Sequence, residues 1–211
     1  MRIQVSIADD HPLIISGIEK LLQQEEKISI QGTYCDGNAL LEGLQQQQPD
    51  VLLLDIYMPG VNGYELAGIL SKAYPKMRIL ALTNNEDIES VRHMLSQGAS
   101  GYILKTAAGA TLIGAIETVF TDGRYLDPVT NERLLQFSLA GHQDAGALRL
   151  TRREKEILQM IASNYTSREI ADKLFLSKRT VDNHRFSLLT KLDVKNAPAL
   201  IRKAMELDLI K

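Results

Sequence analysis

The chain has 211 residues, 45% of them hydrophobic, with a formal net charge of -2, one cysteine and no tryptophan. That length suits one large domain or two small ones, the single cysteine excludes an internal disulfide, and no apolar run approaches the length needed to span a bilayer. The small net charge hides an asymmetry: residues 1–147 carry 10 Lys and Arg against 18 Asp and Glu, a net of -8, while residues 148–211 carry 14 against 8, a net of +6. An acidic half and a basic half suggest sensing in the one and nucleic-acid binding in the other.

The acidic half reads as five strand and helix repeats. Ile3 to Ala8, Ile28 to Tyr34, Val51 to Leu54, Ile79 to Leu82 and Tyr102 to Leu104 are short apolar runs of the kind that form parallel strands covered on both faces. Amphipathic stretches of helical length lie between and after them, near 12–24, 38–48, 63–74, 86–97 and 108–121. Such alternation predicts an α/β fold with a doubly wound parallel sheet, whose ligands bind at the carboxyl ends of the strands. Asp9 and Asp10, Asp55, Thr83 and Lys105 all fall at that edge, at the ends of four strands. Singly, an acidic pair is a turn or cap and a lone Lys is solvated; five such residues at one edge make a site. Crowded carboxylates raise one another's pKa unless a cation sits among them, and oxygen donors favour Mg²⁺. His11 reads as a neighbour or helix cap of this cluster, and Met58-Pro59-Gly60 with Gly63 as a turn beside Asp55. Cys35 reads as a small buried residue.

Residues 122–147 form a connecting stretch. A helix over 128–137 is predicted from Pro128, and small polar residues from 140 to 147 read as a tether. In the basic half Thr151 and Glu154 form a capping box for a helix ending near Ser163, Asn164 suits a left-handed turn, and Thr166 with Glu169 caps a second helix to about Phe175. Ser177 and Thr180 open a third. Ile170, Ala171, Leu174, Val181, Leu188 and Leu192 recur at core spacing, with His184 on their face, while Lys178, Arg179, Asp182, Asn183 and Phe186 take the exposed face. This is a helix-turn-helix, in which Lys178, Arg179 and Arg185 are expected on phosphates. A last amphipathic helix runs from Ala197 to Leu209, with Leu200, Ile201, Ala204 and Leu207 on its apolar face.

Ala8-Asp9-Asp10-His11-Pro12, Leu54-Asp55-Ile56-Tyr57-Met58-Pro59-Gly60, Leu82-Thr83 and Gly101-Tyr102-Ile103-Leu104-Lys105 resemble the receiver domain of two-component response regulators. Glu169-Ile170-Ala171, Leu174, Ser177, Thr180-Val181, His184 and Lys191-Leu192 resemble the LuxR-type output domain, so the whole chain resembles a NarL/FixJ-type regulator. The resemblance implies a flavodoxin-like receiver of five strands in the order 2-1-3-4-5 over 1–121, a linker over 122–147 and a small all-α helix-turn-helix domain over 148–211. It implies that Asp55 is the phosphoacceptor for a sensor histidine kinase or a small phosphodonor. Asp9, Asp10, Asp55 and the backbone carbonyl of Tyr57 would hold Mg²⁺, Lys105 would pair with a phosphoryl oxygen, and Thr83 with Tyr102 would form the switch. Double-stranded promoter DNA would be met by Lys178, Arg179, Asp182, Asn183, Arg185, Phe186 and Lys191, in a homodimer at least when phosphorylated, in the cytoplasm and with no membrane partner.

Four departures from the family pattern bear on this expectation. Asp182 stands where the family often has Lys, and Asp193 and Ala197 replace the usual Gly and Arg before the last helix. Asn84 and Asn85 follow Thr83 where a small residue is common, and Tyr57 with Asn85 is expected to flank the site and set the lifetime of its phosphoryl group. No turnover of an external substrate is expected: a phosphatase reading needs a second acid two residues after Asp55, where Tyr57 stands. The remaining alternative is a constitutive LuxR-type regulator whose receiver only dimerises, which would call for a damaged site, although all five site residues are present.

Overall fold

The structure, a computed structural model, describes residues 2–58, 63–84, 88–140, 150, 152–176, 178–194 and 196–210, without the side chains of 89, 138–140, 152 and 179. It divides into two compact units, Met1–His142 and Gln143–Lys211.

The first unit alternates strand and helix through β1 (Ile3–Ala8), α1 (Pro12–Leu22), β2 (Ile28–Tyr34), α2 (Gly37–Gln46), β3 (Val51–Asp55), α3 (Gly63–Ala73), β4 (Arg78–Thr83), α4 (Ile88–Ser96), β5 (Gly101–Leu104) and α5 (Gly109–Thr121). The sheet is parallel throughout, in the order β2-β1-β3-β4-β5-β6. The expected five-strand order is therefore found, extended by a sixth strand, β6 (Tyr125–Leu126). Alternate side chains of each strand serve opposite layers. Val5, Ile7, Val51, Leu53, Leu80, Leu82 and Ile103 form one core with Ile15, Ile18 and Leu22 of α1 and Leu112, Ala115, Ile116 and Val119 of α5. The intervening Leu52, Leu54, Ile79 and Ala81 are also buried, as are Leu40 and Leu44 of α2, Leu66 and Leu70 of α3 and Val91 and Met94 of α4. Helix starts are fixed locally. Asp36 accepts hydrogen bonds from the Asn38 and Ala39 amides at 2.9 Å each, and Pro12 opens α1.

Two elements fall in the stretch assigned to the linker by sequence. The two-residue β6 adds an edge to β5, and α6 (Pro128–Ala140) packs on α4 within the same unit. Cys35, expected to be buried, is exposed, because it follows the last residue of β2 and precedes the cap of α2.

The second unit is all helical: α7 (Arg152–Ala162), α8 (Ser167–Leu174), α9 (Lys178–Lys191) and α10 (Ala197–Glu206). Ile157, Leu158, Ile161, Ile170, Ala171, Val181, Leu188, Leu192, Leu200 and Ala204 form its core, with Leu174 and Ile201 partly buried against it and Leu207 exposed. The capping box of α8 is made as expected, with the Glu169 amide 3.3 Å from Thr166 Oγ1 and the Thr166 amide 2.8 Å from Glu169 Oε2. Thr151, the expected cap of α7, lies outside the described residues. Among the described residues, each inter-helix turn contains one left-handed residue and none of these is glycine: Asn164 at φ 62°, Phe175 at φ 54° and Asp193 at φ 52°. Asp193, standing where the family usually has Gly, thus takes a left-handed conformation, which a short polar side chain tolerates at modest cost. No helix among the described residues is long and apolar enough to cross a membrane.

Candidate functional site

The sheet order brings β1, β3, β4 and β5 side by side, so the residues at their carboxyl ends converge. Lys105 follows β5, and its amide donates to the Thr83 carbonyl at 2.7 Å, tying the ends of β4 and β5 together. Its side chain is 4% exposed, and Nζ lies 2.6 Å from Asp9 Oδ2 and 2.8 Å from Asp55 Oδ2. One ammonium is therefore shared by two buried carboxylates. Asp9 is engaged at both oxygens, because Oδ1 also accepts the His11 amide at 2.9 Å and lies 2.9 Å from His11 Nδ1. Asp55 Oδ1 accepts the Tyr57 amide at 3.2 Å. Asp10 is the most open of the three, at 10% side-chain exposure, with Oδ1 3.4 Å from His11 Nδ1.

Burial pushes the Asp55 carboxyl above the ordinary carboxylate range and outweighs the opposing pull of Lys105, with Asp9 pushing the same way. Two carboxylates share the Lys105 ammonium, and the Asp10 carboxylate lies within 4.8 Å of both. Asp9, Asp10, His11 and Asp55 each offer a ligand atom within 4.8 Å of the others. A hard divalent cation fits this donor set, since it would relieve the carboxylate repulsion that a single Lys leaves. His11 occupies the N-cap position of α1 yet makes no side-chain cap bond there; its ring turns to Asp9 instead.

Thr83 and Tyr102 are both buried, at 0% and 1% exposure, on adjacent strands. Asn84 is exposed, and Asn85 lies outside the described residues. A further set of residues around the site carries no sequence signature. Tyr64 of α3 is buried and its phenol shares hydrogen bonds with Ser90 of α4 and with Tyr57, two residues from Asp55. Burial, reinforced by Tyr57, holds that phenol far above its ordinary range. The ring of His93 stacks at a tilt on Tyr64, centroids 4.8 Å apart. A Tyr at the second position of a helix reads as core from sequence; only its apposition to Tyr57 reveals the link. Gly63 lets the start of α3 pack closely on this turn, for a Cβ there would meet Ile56 Cα at 2.5 Å and the Asp55 carbonyl at 2.6 Å.

The second unit presents α9. Lys178 and Asp182 pair at 2.8 Å across one turn, and Asp182 also bonds Ser167, contacts that hold its carboxyl below the ordinary range against a burial effect that alone is larger than any one of them. Asn183, Arg185 and Phe186 are partly exposed on the same helix, and the Arg179 side chain lies outside the described residues. Arg185 lines a cleft of about 420 Å³ with Thr166, Ser167, Ala197 and Pro198, where the amino-terminal ends of α8 and α10 meet. His184 is half-buried, and burial lowers its pKa. Lys191 departs from the expected DNA-facing set. Its side chain is 8% exposed, and Nζ lies 3.1 Å from Glu154 Oε2 of α7, whose other oxygen accepts the Ser187 hydroxyl at 2.7 Å. At the end of α9 the core side of the helix, rather than the groove side, claims it.

The chain matches the family model described as the response regulator receiver domain over residues 5–117 and that of the bacterial regulatory proteins, luxR family, over residues 148–204. It is 36% identical to the oxygen regulatory protein NreC of Staphylococcus carnosus, over 98% of this chain and 99% of that protein. Among solved structures it resembles the RcsB response regulator of Salmonella typhimurium, with a TM-score of 0.62 at 30% identity over 99% of both chains. RcsB of Salmonella enterica serovar Typhimurium bound to a promoter in the presence of the phosphomimetic BeF3- gives a TM-score of 0.62 at 32% identity, over 96% of this chain and 98% of that one.

Proposed function

Because the chain belongs to the two-component response regulators that join a receiver domain to a LuxR-type DNA-binding domain, we propose that it is a transcriptional regulator controlled by phosphorylation of Asp55. The phosphoacceptor function lies in residues 1–121 and DNA binding in 148–211, with 122–147 between them. The observation that carries this reading is the Lys105 ammonium held between Asp9 and Asp55 at the edge of the sheet. An Asp55 oxygen attacks the phosphorus of a phosphohistidine on a sensor histidine kinase; the P–N bond breaks, a P–O bond forms, and the imidazole leaves with a proton. Lys105, already 2.8 Å from Asp55, stays paired with the new phosphoryl oxygens and offsets their charge. Asp9, Asp10, Asp55 and the Tyr57 carbonyl would hold Mg²⁺, which would supply further neutralisation of the phosphoryl charge. The chain turns over no external substrate, since its chemistry is confined to its own Asp55.

The Thr83 hydroxyl then turns to the phosphoryl group and Tyr102 packs into the space it leaves, a two-state packing change biased by charge. The output is a homodimer in the cytoplasm on promoter DNA. Lys178, Arg179 and Arg185 meet phosphates, and Asn183, Phe186 and Asp182 face base edges, Asp182 exchanging its pairing with Lys178 for a cytosine amine. Lys191, buried against Glu154, belongs to the scaffold of α9 rather than to that set.

The test compares wild type with Asp55→Asn, with and without a small phosphodonor, reading the phosphoryl adduct by intact mass, association by sedimentation and promoter binding by site selection. Wild type gains the adduct, associates and binds; Asp55→Asn does none of these. Equal association and DNA binding by both proteins would overturn phosphorylation control in favour of a constitutive regulator.

A further inference from the structure

The His11 ring is turned into the acidic cluster instead of serving its own helix. It stands at the N-cap of α1, in extended backbone at φ -102° and ψ 105°, and makes no side-chain cap bond. Ser, Thr, Asp or Asn at that position would accept from the first helical amides. Here Nδ1 lies 2.9 Å from Asp9 Oδ1 and 3.4 Å from Asp10 Oδ1. Holding Asp9 in place does not call for that ring. The His11 amide already donates to Asp9 Oδ1 at 2.9 Å, and Lys105 Nζ sits 2.6 Å from Oδ2.

The spacing suits a shared cation. Two ligands on adjacent corners of an octahedron with bonds of about 2.1 Å stand about 3.0 Å apart, and on opposite corners about 4.2 Å. The distances from Nδ1 to Asp9 and Asp10 bracket the first value, and the whole set, Asp55 included, falls within 4.8 Å. The His11 side chain is 39% exposed and that of Asp10 10%, so an ion reaches them from solvent, with the buried carboxylates of Asp9 and Asp55 beside them. An imidazole also changes which ion is preferred. Mg²⁺ is satisfied by oxygen and water, whereas Zn²⁺ and its neighbours at the copper end of the first transition row gain from a nitrogen donor.

We propose that His11 is a metal ligand through Nδ1 and that, with Asp9, Asp10 and Asp55, it makes this edge of the sheet a site for a nitrogen-seeking transition-metal dication of the Zn²⁺ class, which excludes Mg²⁺ while bound. The inference rests on the reading of Asp9, Asp10 and Asp55 as cation ligands given above and adds a second class of ion to it. Ligation at Nδ1 confines the ring proton to Nε2, whereas a ring that only hydrogen-bonds to Asp9 carries a proton on Nδ1. The two roles are therefore separable by where the proton sits.

Nitrogen NMR of the full chain labelled at histidine tests this, with the exposed Cys35 replaced by Ser to remove a competing thiol and His11→Asn identifying the ring signal by its loss. Zn²⁺ alone should convert His11 from a form protonated at Nδ1 to one protonated at Nε2 only, and Mg²⁺ alone should not. Excess Mg²⁺ should displace the Zn²⁺. His11→Asn keeps a hydrogen-bond donor for Asp9, and it should weaken Zn²⁺ binding about tenfold or more while leaving Mg²⁺ binding within about twofold. A ring that stays protonated at Nδ1 under Zn²⁺, Zn²⁺ bound equally well by His11→Asn, or Zn²⁺ that Mg²⁺ does not displace overturns the proposal alone. If Mg²⁺ and Zn²⁺ both leave the amide signals of Asp10 and Asp55 unmoved, the reading of the carboxylates as cation ligands falls and the proposal with it.

Discussion

Replacing Lys191 by Met distinguishes a scaffold lysine from a DNA-contacting one. The Lys191 and Glu154 side chains are 8% and 4% exposed and join α9 to α7 through a 3.1 Å ion pair. Met matches the volume of the lysine stem, so packing is largely kept and what is lost is the charge partner of a buried carboxylate. Removing one member of such a pair typically costs about 3–5 kcal/mol. The Ser187 hydroxyl, 2.7 Å from Glu154 Oε1, still serves the carboxylate, which places the expected loss near the low end, about 3 kcal/mol or roughly two decades in the opening equilibrium. Hydrogen exchange of the full chain should show that loss over α7 and α9 with the receiver strands unaffected. The double replacement Glu154→Leu with Lys191→Met should recover most of it, because an apolar pair of similar volume substitutes well for a buried ion pair. Unchanged exchange in Lys191→Met, together with a fall of about one in the salt slope of DNA binding, would show instead that Lys191 meets a phosphate and that the reasoning is wrong.

Other consequences are open to measurement. Since burial raises the Asp55 carboxyl, the folded chain binds that proton more tightly than the unfolded chain, and stability declines as pH rises from the ordinary carboxylate range toward the raised value. Asp55→Asn should therefore unfold at higher urea than wild type at pH 7 without metal, and lose that advantage as pH falls below the ordinary value. Burial, followed by Arg92, holds the His93 imidazole below its ordinary 6.5, so its contribution is complete above that pH and is lost as pH falls through the lowered value. His93→Gln should flatten that pH slope, which in a half-exposed group is small; an unchanged slope would assign it elsewhere. Gly63→Ala places a methyl against backbone at 2.5 Å, so it should cost about 1–3 kcal/mol and slow phosphoryl uptake at Asp55, read by denaturation and intact mass. Normal uptake would show that the turn after Asp55 yields freely.

The receiver strands and helices were legible because each buried strand is a continuous apolar run with a polar residue where it emerges. Asp55 and Thr83 end β3 and β4, and Asp9 and Lys105 directly follow β1 and β5. Asn164 at φ 62° and the Thr166 and Glu169 box were equally legible, since their preference is encoded locally. What could not be read depends on partners distant in sequence. Tyr125 and Leu126 are too short for any period, and become a strand only because Gly101 and Tyr102 offer an open edge. Lys191 reads as a solvated helix end until α7 brings Glu154 to it across 37 positions. The link from Tyr57 through Tyr64 to Ser90 likewise joins three elements, none of which alone distinguishes a hydrogen-bonding tyrosine from a packing one.

The sixth strand bears on how such regulators can be recombined. β6 lies against β5 at Gly101, where a Cβ would stand 2.6 Å from the Tyr125 carbonyl, so the two strands fit only with glycine between them. A chimera spliced at residue 121, where the last receiver helix ends, would discard this strand and leave the backbone of Gly101 and Tyr102 without its neighbour, an open edge of the kind that invites aggregation. Grafting a foreign output domain after α6 instead would carry β6 and its helix along. The smallest exchangeable part of this chain is thus longer than its five-strand core, and a transplant that respects that boundary should stay monodisperse where the shorter one precipitates.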